Sequence, residues 1–121
     1  MDMEKINLAQ KLSLIEEQWS PKIIGEVNDV YIKLVKFKGD FIWHFHEEED
    51  ELFFVVKGTM VMKLRDKDIE LKESEFIVIP KGVEHMPVSD EEVFLMLVEP
   101  KSTENTGNIQ NERTVKDLDR I

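Results

Sequence analysis

The sequence predicts an all-β domain that begins with one short helix. From residue 30 onward, short runs of β-branched, aromatic and aliphatic residues recur at intervals of roughly 8 to 12 residues. Turn-forming pairs such as Lys57-Gly58 and Lys81-Gly82 separate these runs. Many short strands joined by tight turns favour an antiparallel sandwich or barrel over a fold in which strands and helices alternate.

The helix is predicted over residues 8–18. Asn7 and Gln10 form a capping-box pattern at its start, and Pro21 cannot continue it. Four apolar residues then fall on one helical face because they are spaced by four, three and four positions. They are Leu8, Leu12, Ile15 and Trp19.

The predicted strands follow the alternation of apolar and polar residues. A turn is expected at Ser89-Asp90, and the tail after Pro100 is polar, with a helical turn near residues 115–118. The whole chain, residues 1–121, is therefore predicted to be one domain with an N-terminal helical arm (1–20), a β-barrel (24–99) and a polar C-terminal arm (100–121). The strands are expected over residues 30–35, 41–46, 52–56, 59–65, 69–71, 76–79 and 93–98.

Composition excludes several classes of function. The chain has no cysteine, so disulfides, thiolate metal sites and cysteine nucleophiles are excluded. A formal net charge of −10 would repel nucleic acid, whose binding requires neutralisation of phosphates. There is no secretory signal pattern and no apolar run near the ~20 residues that a membrane span requires, so we expect a soluble cytoplasmic protein with no membrane partner.

A candidate metal site begins at the stretch HFHEEEDELFFVVKG, residues 44–58. In a strand, side chains alternate between faces, so His44 and His46 point to one side while Trp43 and Phe45 point to the other. Two imidazoles on one face can converge on a single ion. Imidazole and carboxylate ligands without sulfur suit zinc, iron, manganese, nickel or copper better than calcium. Two histidines on one strand face are also common without a metal.

The third histidine strengthens the metal interpretation. His85 follows the turn formed by Pro80 and Gly82, which can bring a side chain back over the mouth of a barrel. The chain has only three histidines, and all of them lie in these two segments. Core packing gives no reason for such a distribution.

The same two segments resemble the motifs of the cupin family. The first cupin motif runs glycine, about five residues, His-x-His, three or four residues, Glu, six residues, glycine. The second runs glycine, five residues, Pro-x-Gly, two residues, His, three residues, Asn. This chain reads Gly39, four residues, His44-Phe45-His46, four residues, Glu51, six residues, Gly58, and then Ser74, five residues, Pro80-Lys81-Gly82, two residues, His85, three residues, Ser89. The departures are a first spacer shorter by one residue, Ser74 in place of glycine and Ser89 in place of asparagine.

The resemblance implies a jelly-roll barrel, that is, a small double-stranded β-helix. It also implies that His44, His46, Glu51 and His85 bind one divalent transition metal, with iron, manganese, nickel and zinc as the expected ions. Glu51 opens the apolar strand and shares a face with Phe53 and Val55, where a buried carboxylate needs a charged partner. The preceding acids, residues 47–50, are interpreted as a solvated loop.

The aromatic residues of this segment predict a homodimer. If the histidines face the interior, then Phe41, Trp43 and Phe45 face outward and form an apolar patch that a monomer rarely tolerates. Either the N-terminal helix or a partner subunit could cover them. Small cupins are commonly dimers, which favours the second possibility.

Two classes of function remain open at this stage. The first is a metal-dependent enzyme acting on a small organic molecule, of the dioxygenase or isomerase type found among cupins. The second is a non-catalytic module that binds or senses a small molecule. The sequence identifies no proton-transfer residue apart from the candidate ligands, so catalytic residues are not assigned.

Overall fold

The structure, a computed structural model, describes residues 3–121. The first two residues of the predicted N-terminal arm lie outside this range. One helix and seven strands follow in order: α1 (Leu8–Leu12), β1 (Lys22–Val27), β2 (Val30–Asp40), β3 (Glu51–Lys57), β4 (Met60–Leu64), β5 (Asp68–Leu71), β6 (Phe76–Ile79) and β7 (His85–Pro100).

Helix α1 is shorter than predicted. The Asn7 side chain caps its start by accepting a hydrogen bond from the backbone N–H of Gln10 at 2.9 Å, as the capping pattern indicates. The hydroxyl of Ser13 then donates to the carbonyl of Gln10, and the N–H of Ile15 bonds the carbonyl of Leu12. These bonds form a tighter turn that ends the helix at Leu12, so residues 13–18 are not helical. Within the described residues no helix is long and apolar enough to span a membrane.

The strands form one mostly antiparallel sheet. Its order is β1-β2-β7-β3-β6, and β4 joins β7 to β5. The prediction of an all-β fold with one short helix is confirmed. The jelly-roll barrel is consistent with this topology, although the sheet is not closed: among the described strands, β1, β5 and β6 each pair with one neighbour only.

The strand predicted over residues 41–46 does not form. This segment makes an isolated bridge, in which His44 and His85 exchange backbone hydrogen bonds of 3.1 and 2.9 Å. The backbone of Phe45 forms its hydrogen bonds with Asn108. The Phe45 N–H donates to the side-chain oxygen of Asn108, and the backbone N–H of Asn108 donates to the Phe45 carbonyl. Phe45 therefore pairs with the C-terminal arm, and on the opposite edge the segment makes the single bridge to His85 in place of a continuous ladder.

Two other strands differ from the prediction. Strand β1 was not predicted at all, and it pairs with β2 with a register shift next to Gly25. Strand β7 begins at His85 and runs through Ser89-Asp90, where a turn was predicted. It pairs first with β4 and then with β2 and β3, so one long strand links the two parts of the sheet.

The apolar core lies on the inner face of the sheet. A smaller second cluster forms on the other face, where Ile15, Ile24 and Leu34 pack with residues of α1. The inner cluster is built by alternate residues of six strands, as the two-residue period requires. It contains Val35, Phe37, Phe53, Val55, Met60, Met62, Leu71, Ile79, Val93, Leu95 and Leu97.

The C-terminal arm folds back onto the sheet. Thr106 is fully buried, and Arg120 forms a parallel bridge with Ile23 of β1. Gly107 has a positive φ and approaches Phe45 so closely that an added Cβ would lie 2.3 Å from its carbonyl oxygen. The segment 115–118 contains no helical turn of the predicted kind. The arm is therefore a packed part of the domain.

The three aromatic residues that motivate the homodimer prediction are half-buried. Phe41 stacks on Trp19 with ring centroids 5.0 Å apart, and the guanidinium of Arg65 lies 3.9 Å from the ring centre of Trp43. Phe41, Trp43 and Phe45 therefore do not form an exposed patch, because side chains of the same chain cover them in part, including Trp19 of the predicted N-terminal helical arm. Large exposed apolar side chains occur instead on edge strand β6, where Phe76 and Val78 are 60% and 48% exposed.

The homodimer remains a prediction, and β6 is now the surface on which we expect it. An edge strand with exposed apolar side chains is prone to pair with another chain. Light scattering at micromolar concentration should give about twice the monomer mass of 14.3 kDa. A Phe76→Glu variant should reduce the mass to that of the monomer. A monomeric wild-type protein would contradict the prediction.

Candidate metal centre

The four residues predicted as ligands converge in the structure. His44 and His46 come from the loop after β2, Glu51 begins β3, and His85 begins β7. All four are buried, and each offers a ligand atom that lies within 4.8 Å of the ligand atoms of the others. The isolated bridge between His44 and His85 holds the two segments together at this point.

Backbone carbonyls fix the orientation of two of the imidazoles. His44 Nδ1 lies 2.9 Å from the carbonyl oxygen of Ile42, and His85 Nδ1 lies 2.9 Å from that of Val83. A carbonyl can only accept, so each Nδ1 carries the hydrogen. Each Nε2 is then left with a free lone pair, as a metal ligand requires.

Several atoms at the centre lack hydrogen bonds. His46 Nε2 lies 2.6 Å and His85 Nε2 lies 3.3 Å from Glu51 Oε1. Despite this proximity, none of the three atoms forms a hydrogen bond of acceptable geometry with any of residues 3–121. Buried polar atoms without partners are costly, and a cation among these three would satisfy them together. The donor set therefore fits a transition metal.

The pKa values of His44 and Glu51 keep both side chains in the protonation states that bind metal. Burial, together with the neighbouring His85, lowers the pKa of His44 to about 4, so this imidazole is neutral at pH 7. For Glu51, burial opposes ionisation, but the adjacent side chains of Glu99, His46 and His85 outweigh burial and hold its pKa well below the usual value. A neutral imidazole and an ionised carboxylate are the forms that bind metal.

A buried ion pair between Lys33 and Glu99 adjoins Glu51. Lys33 Nζ lies 2.7 Å from Glu99 Oε1, and both side chains are 2% exposed. The Glu99 carboxyl also neighbours that of Glu51, and burial together with the Glu51 charge raises the pKa of Glu99 well above its usual value. The sequence interpretation missed this pair. Strand alternation could have found it, because Lys33 shares a face with Val35, and Glu99 shares one with Leu97.

The acidic loop is largely the solvated segment that was predicted, but hydrogen bonds also anchor it. Glu47, Glu48 and Asp50 are exposed, and Glu49 is half-buried. Asp50, however, accepts a hydrogen bond from the backbone N–H of Lys81 at 2.8 Å, and Glu49 accepts one from the hydroxyl of Ser102 at 2.7 Å. These bonds fasten the loop to the second histidine segment and to the C-terminal arm.

Two of the three departures from the cupin motifs, Ser74 and Ser89, can be placed in the structure. Ser74 adopts a φ of 70°, in the left-handed region that favours glycine, and its N–H bonds the carbonyl of Val55 at 2.9 Å. Ser89 donates its hydroxyl to the carbonyl of Thr59 at 2.9 Å. Neither side chain belongs to the metal centre, so both substitutions leave the ligand set intact.

Comparison with known proteins identifies the family. The family model described as Cupin domain matches residues 33–99, which is more than half of the chain. The chain belongs to the cupin family. These matched residues include all four members of the candidate centre and also Lys33 and Glu99.

Similarity to three individual proteins extends the comparison. A cupin-2 domain containing protein from Shewanella frigidimarina is 48% identical, with a TM-score of 0.78 over 78% of this chain and 93% of its own. The uncharacterized protein YdbB of Bacillus subtilis is 34% identical over 99 residues, which are 81% of this chain and 88% of YdbB. A 3-hydroxyanthranilate 3,4-dioxygenase from Nematostella vectensis is 39% identical over 57 residues, which are 44% of this chain but only 21% of that enzyme.

The pKa of His44 predicts a pH effect on the stability of the metal-free cupin. An unfolded histidine takes up a proton near pH 6.5, but folded His44 does so only near pH 4. Between these values the unfolded state binds more protons, so folding becomes less favourable as the pH falls. From pH 7 to pH 4 we expect the wild type to lose about 3 kcal/mol of unfolding free energy relative to a His44→Gln variant.

Urea unfolding of both proteins at several pH values measures this difference. The comparison isolates His44 because Glu51 and Glu99 are present in both proteins. Parallel pH profiles would contradict the expectation.

Proposed function

We propose that this cupin binds one divalent transition metal through His44, His46, Glu51 and His85 and is a metal-dependent enzyme acting on a small organic molecule. The observation that carries the proposal is the convergence of four buried donors, three of whose atoms have no hydrogen bond. Nothing in the folding of a sheet requires such a group. Iron, manganese, nickel and zinc all suit three imidazoles and a carboxylate.

When bound, such a metal supplies Lewis acidity or, for a redox-active ion, the activation of oxygen. The residues of the chain would prepare the site for this chemistry. The carbonyls of Ile42 and Val83 orient two imidazoles, and Lys33 with Glu99 supports Glu51 from the opposite side. Apolar side chains beside the centre, including Phe53 and Leu97, exclude water.

Among the reactions known for cupins, we favour an oxygen-dependent one. A phosphosugar isomerase would need cationic side chains for the phosphate, but the described residues that line the cavity beside the centre include no arginine or lysine. Lys33, whose partner Glu99 adjoins Glu51, is already engaged in a buried ion pair. The partial similarity to a dioxygenase supports the same choice. We therefore propose an uncharged, largely apolar substrate.

A non-catalytic binding or sensing module is the alternative. The observation that favours it is the cavity lining, which is mostly aromatic and aliphatic. Glu99 is the one carboxyl of this lining that is not a candidate ligand. A site of this composition can hold a small molecule without transforming it.

Oxygen consumption separates the two possibilities. Metal-free protein is loaded with iron(II), manganese, nickel or zinc and exposed in an oxygen electrode to a panel of small uncharged molecules such as diols, with keto acids included as charged comparison compounds. The enzyme proposal predicts substrate-dependent oxygen uptake with a redox-active metal and none with zinc, which serves as the matched control. Binding of panel members without uptake or product, with every metal, would leave the binding module as the function.

A further inference from the structure

A small cavity adjoins the candidate metal centre. Its volume is about 50 Å³, and His44, Glu51 and Glu99 lie along its wall. Pockets for drug-sized ligands measure roughly 300 Å³ or more. A cavity of this size accepts a ligand of only a few non-hydrogen atoms.

Three half-buried residues stand on the solvent side of this cavity, while the rest of its lining is buried. They are Trp19, Phe41 and Asn105. Trp19 has the largest side chain of the three and lines the cavity together with Phe41, on which its ring stacks. Trp19 and Asn105 lie outside residues 33–99, the part of the chain that matches the family. This side of the cavity is therefore formed largely by segments that the family match does not include.

Trp19 is held in an unfavourable backbone conformation. Its φ is 64°, in the left-handed region, which a bulky residue rarely adopts. Its N–H donates to the carbonyl of Lys36 at 2.9 Å, and its ring stacks on those of Phe37 and Phe41 at centroid distances of 4.4 and 5.0 Å. The guanidinium of Arg113 lies 4.6 Å from the centre of its ring. Strain of this kind persists only where the surroundings enforce it, and it concentrates at functional sites.

We infer that Trp19, held in place by Arg113, sets the upper size of the ligands that reach the metal centre, and is a specificity-determining residue. This inference rests on the proposed metal function. A large side chain at the solvent side of the cavity selects by steric exclusion, which discriminates against bulky ligands without contributing to the binding of small ones. The accepted ligand is then a molecule of a few non-hydrogen atoms.

Two exogenous metal ligands of different size test the inference. The protein is loaded with cobalt(II), and binding of azide or phenylimidazole is followed by visible absorption. Trp19→Ala is compared with Trp43→Ala, a matched control because Trp43 packs against Arg65 and does not line the cavity. Azide should bind all three proteins alike. Phenylimidazole should bind Trp19→Ala at least about tenfold more tightly than wild type or the control.

A second variant keeps the test independent of whether Trp19→Ala folds. Arg113→Ala keeps the Trp19 indole but removes the guanidinium that packs against it, so the indole can move more easily. This variant should bind phenylimidazole at least about threefold more tightly than wild type, with azide binding unchanged. Equal phenylimidazole affinity in wild type, Arg113→Ala and any folded Trp19→Ala would overturn the inference and leave the metal function standing. Failure of the wild type to bind cobalt would remove the proposed function and the inference with it.

Discussion

Replacing Glu51 with glutamine is expected to lower the affinity for a divalent transition metal by at least about 100-fold, because changes to residues that only support metal ligands already cost 10- to 100-fold. Glu51 Oε1 lies within 3.3 Å of both His46 Nε2 and His85 Nε2, so it occupies the middle of the donor set. Glutamine keeps the shape of the side chain but removes the negative charge.

The matched control is Glu48→Gln, the same chemical change three positions earlier on an exposed side chain. Competition with a chromophoric chelator measures the metal affinity of wild type and both variants. The control should bind metal like wild type. Equal affinities for the two variants would show that Glu51 is not a ligand.

Replacing Lys33 with methionine is expected to destabilise the metal-free protein by about 3–5 kcal/mol, the usual cost of removing one partner from a buried ion pair. Without the ammonium group, Glu99 loses its ion-pair partner while the buried carboxyl of Glu51 still lies beside it. Such a loss is a large part of the stability of a domain of this size.

Urea unfolding of the metal-free protein measures the effect, with Lys38→Met as the control. Lys38 lies on the same strand but is exposed, so its replacement should change the unfolding free energy by less than about 0.5 kcal/mol. A Lys33→Met variant within about 1 kcal/mol of wild type would contradict the role assigned to the buried pair.

The composition of the candidate centre is predictable from sequence because few residue types bind transition metals. The chain has three histidines and no cysteine, which leaves little choice of nitrogen or sulfur ligands. The motif spacing then selects Glu51 from five consecutive acids. The structure brings these same four residues together, although residues 41–46 do not form the strand from which their common orientation was argued.

Features that depend on distant segments are not predictable in this way. Phe45, for example, bonds through its backbone to Asn108, 63 positions away, so it pairs with the C-terminal arm and not within the predicted strand over residues 41–46. No local sequence pattern predicts such a contact. The position of Trp19 is another example. Its spacing from Leu8, Leu12 and Ile15 predicts that it lies on the apolar face of the N-terminal helix. In the structure the helix ends at Leu12, and Trp19 packs on Phe37 instead.

Metal analysis of the protein purified without a histidine tag is the most direct test of metal binding by these four residues. We expect about one equivalent of a transition metal per chain, either as purified or after removal of metal and reconstitution with iron, manganese, nickel or zinc. Less than about a tenth of an equivalent, unchanged after refolding with each of these metals, would contradict it.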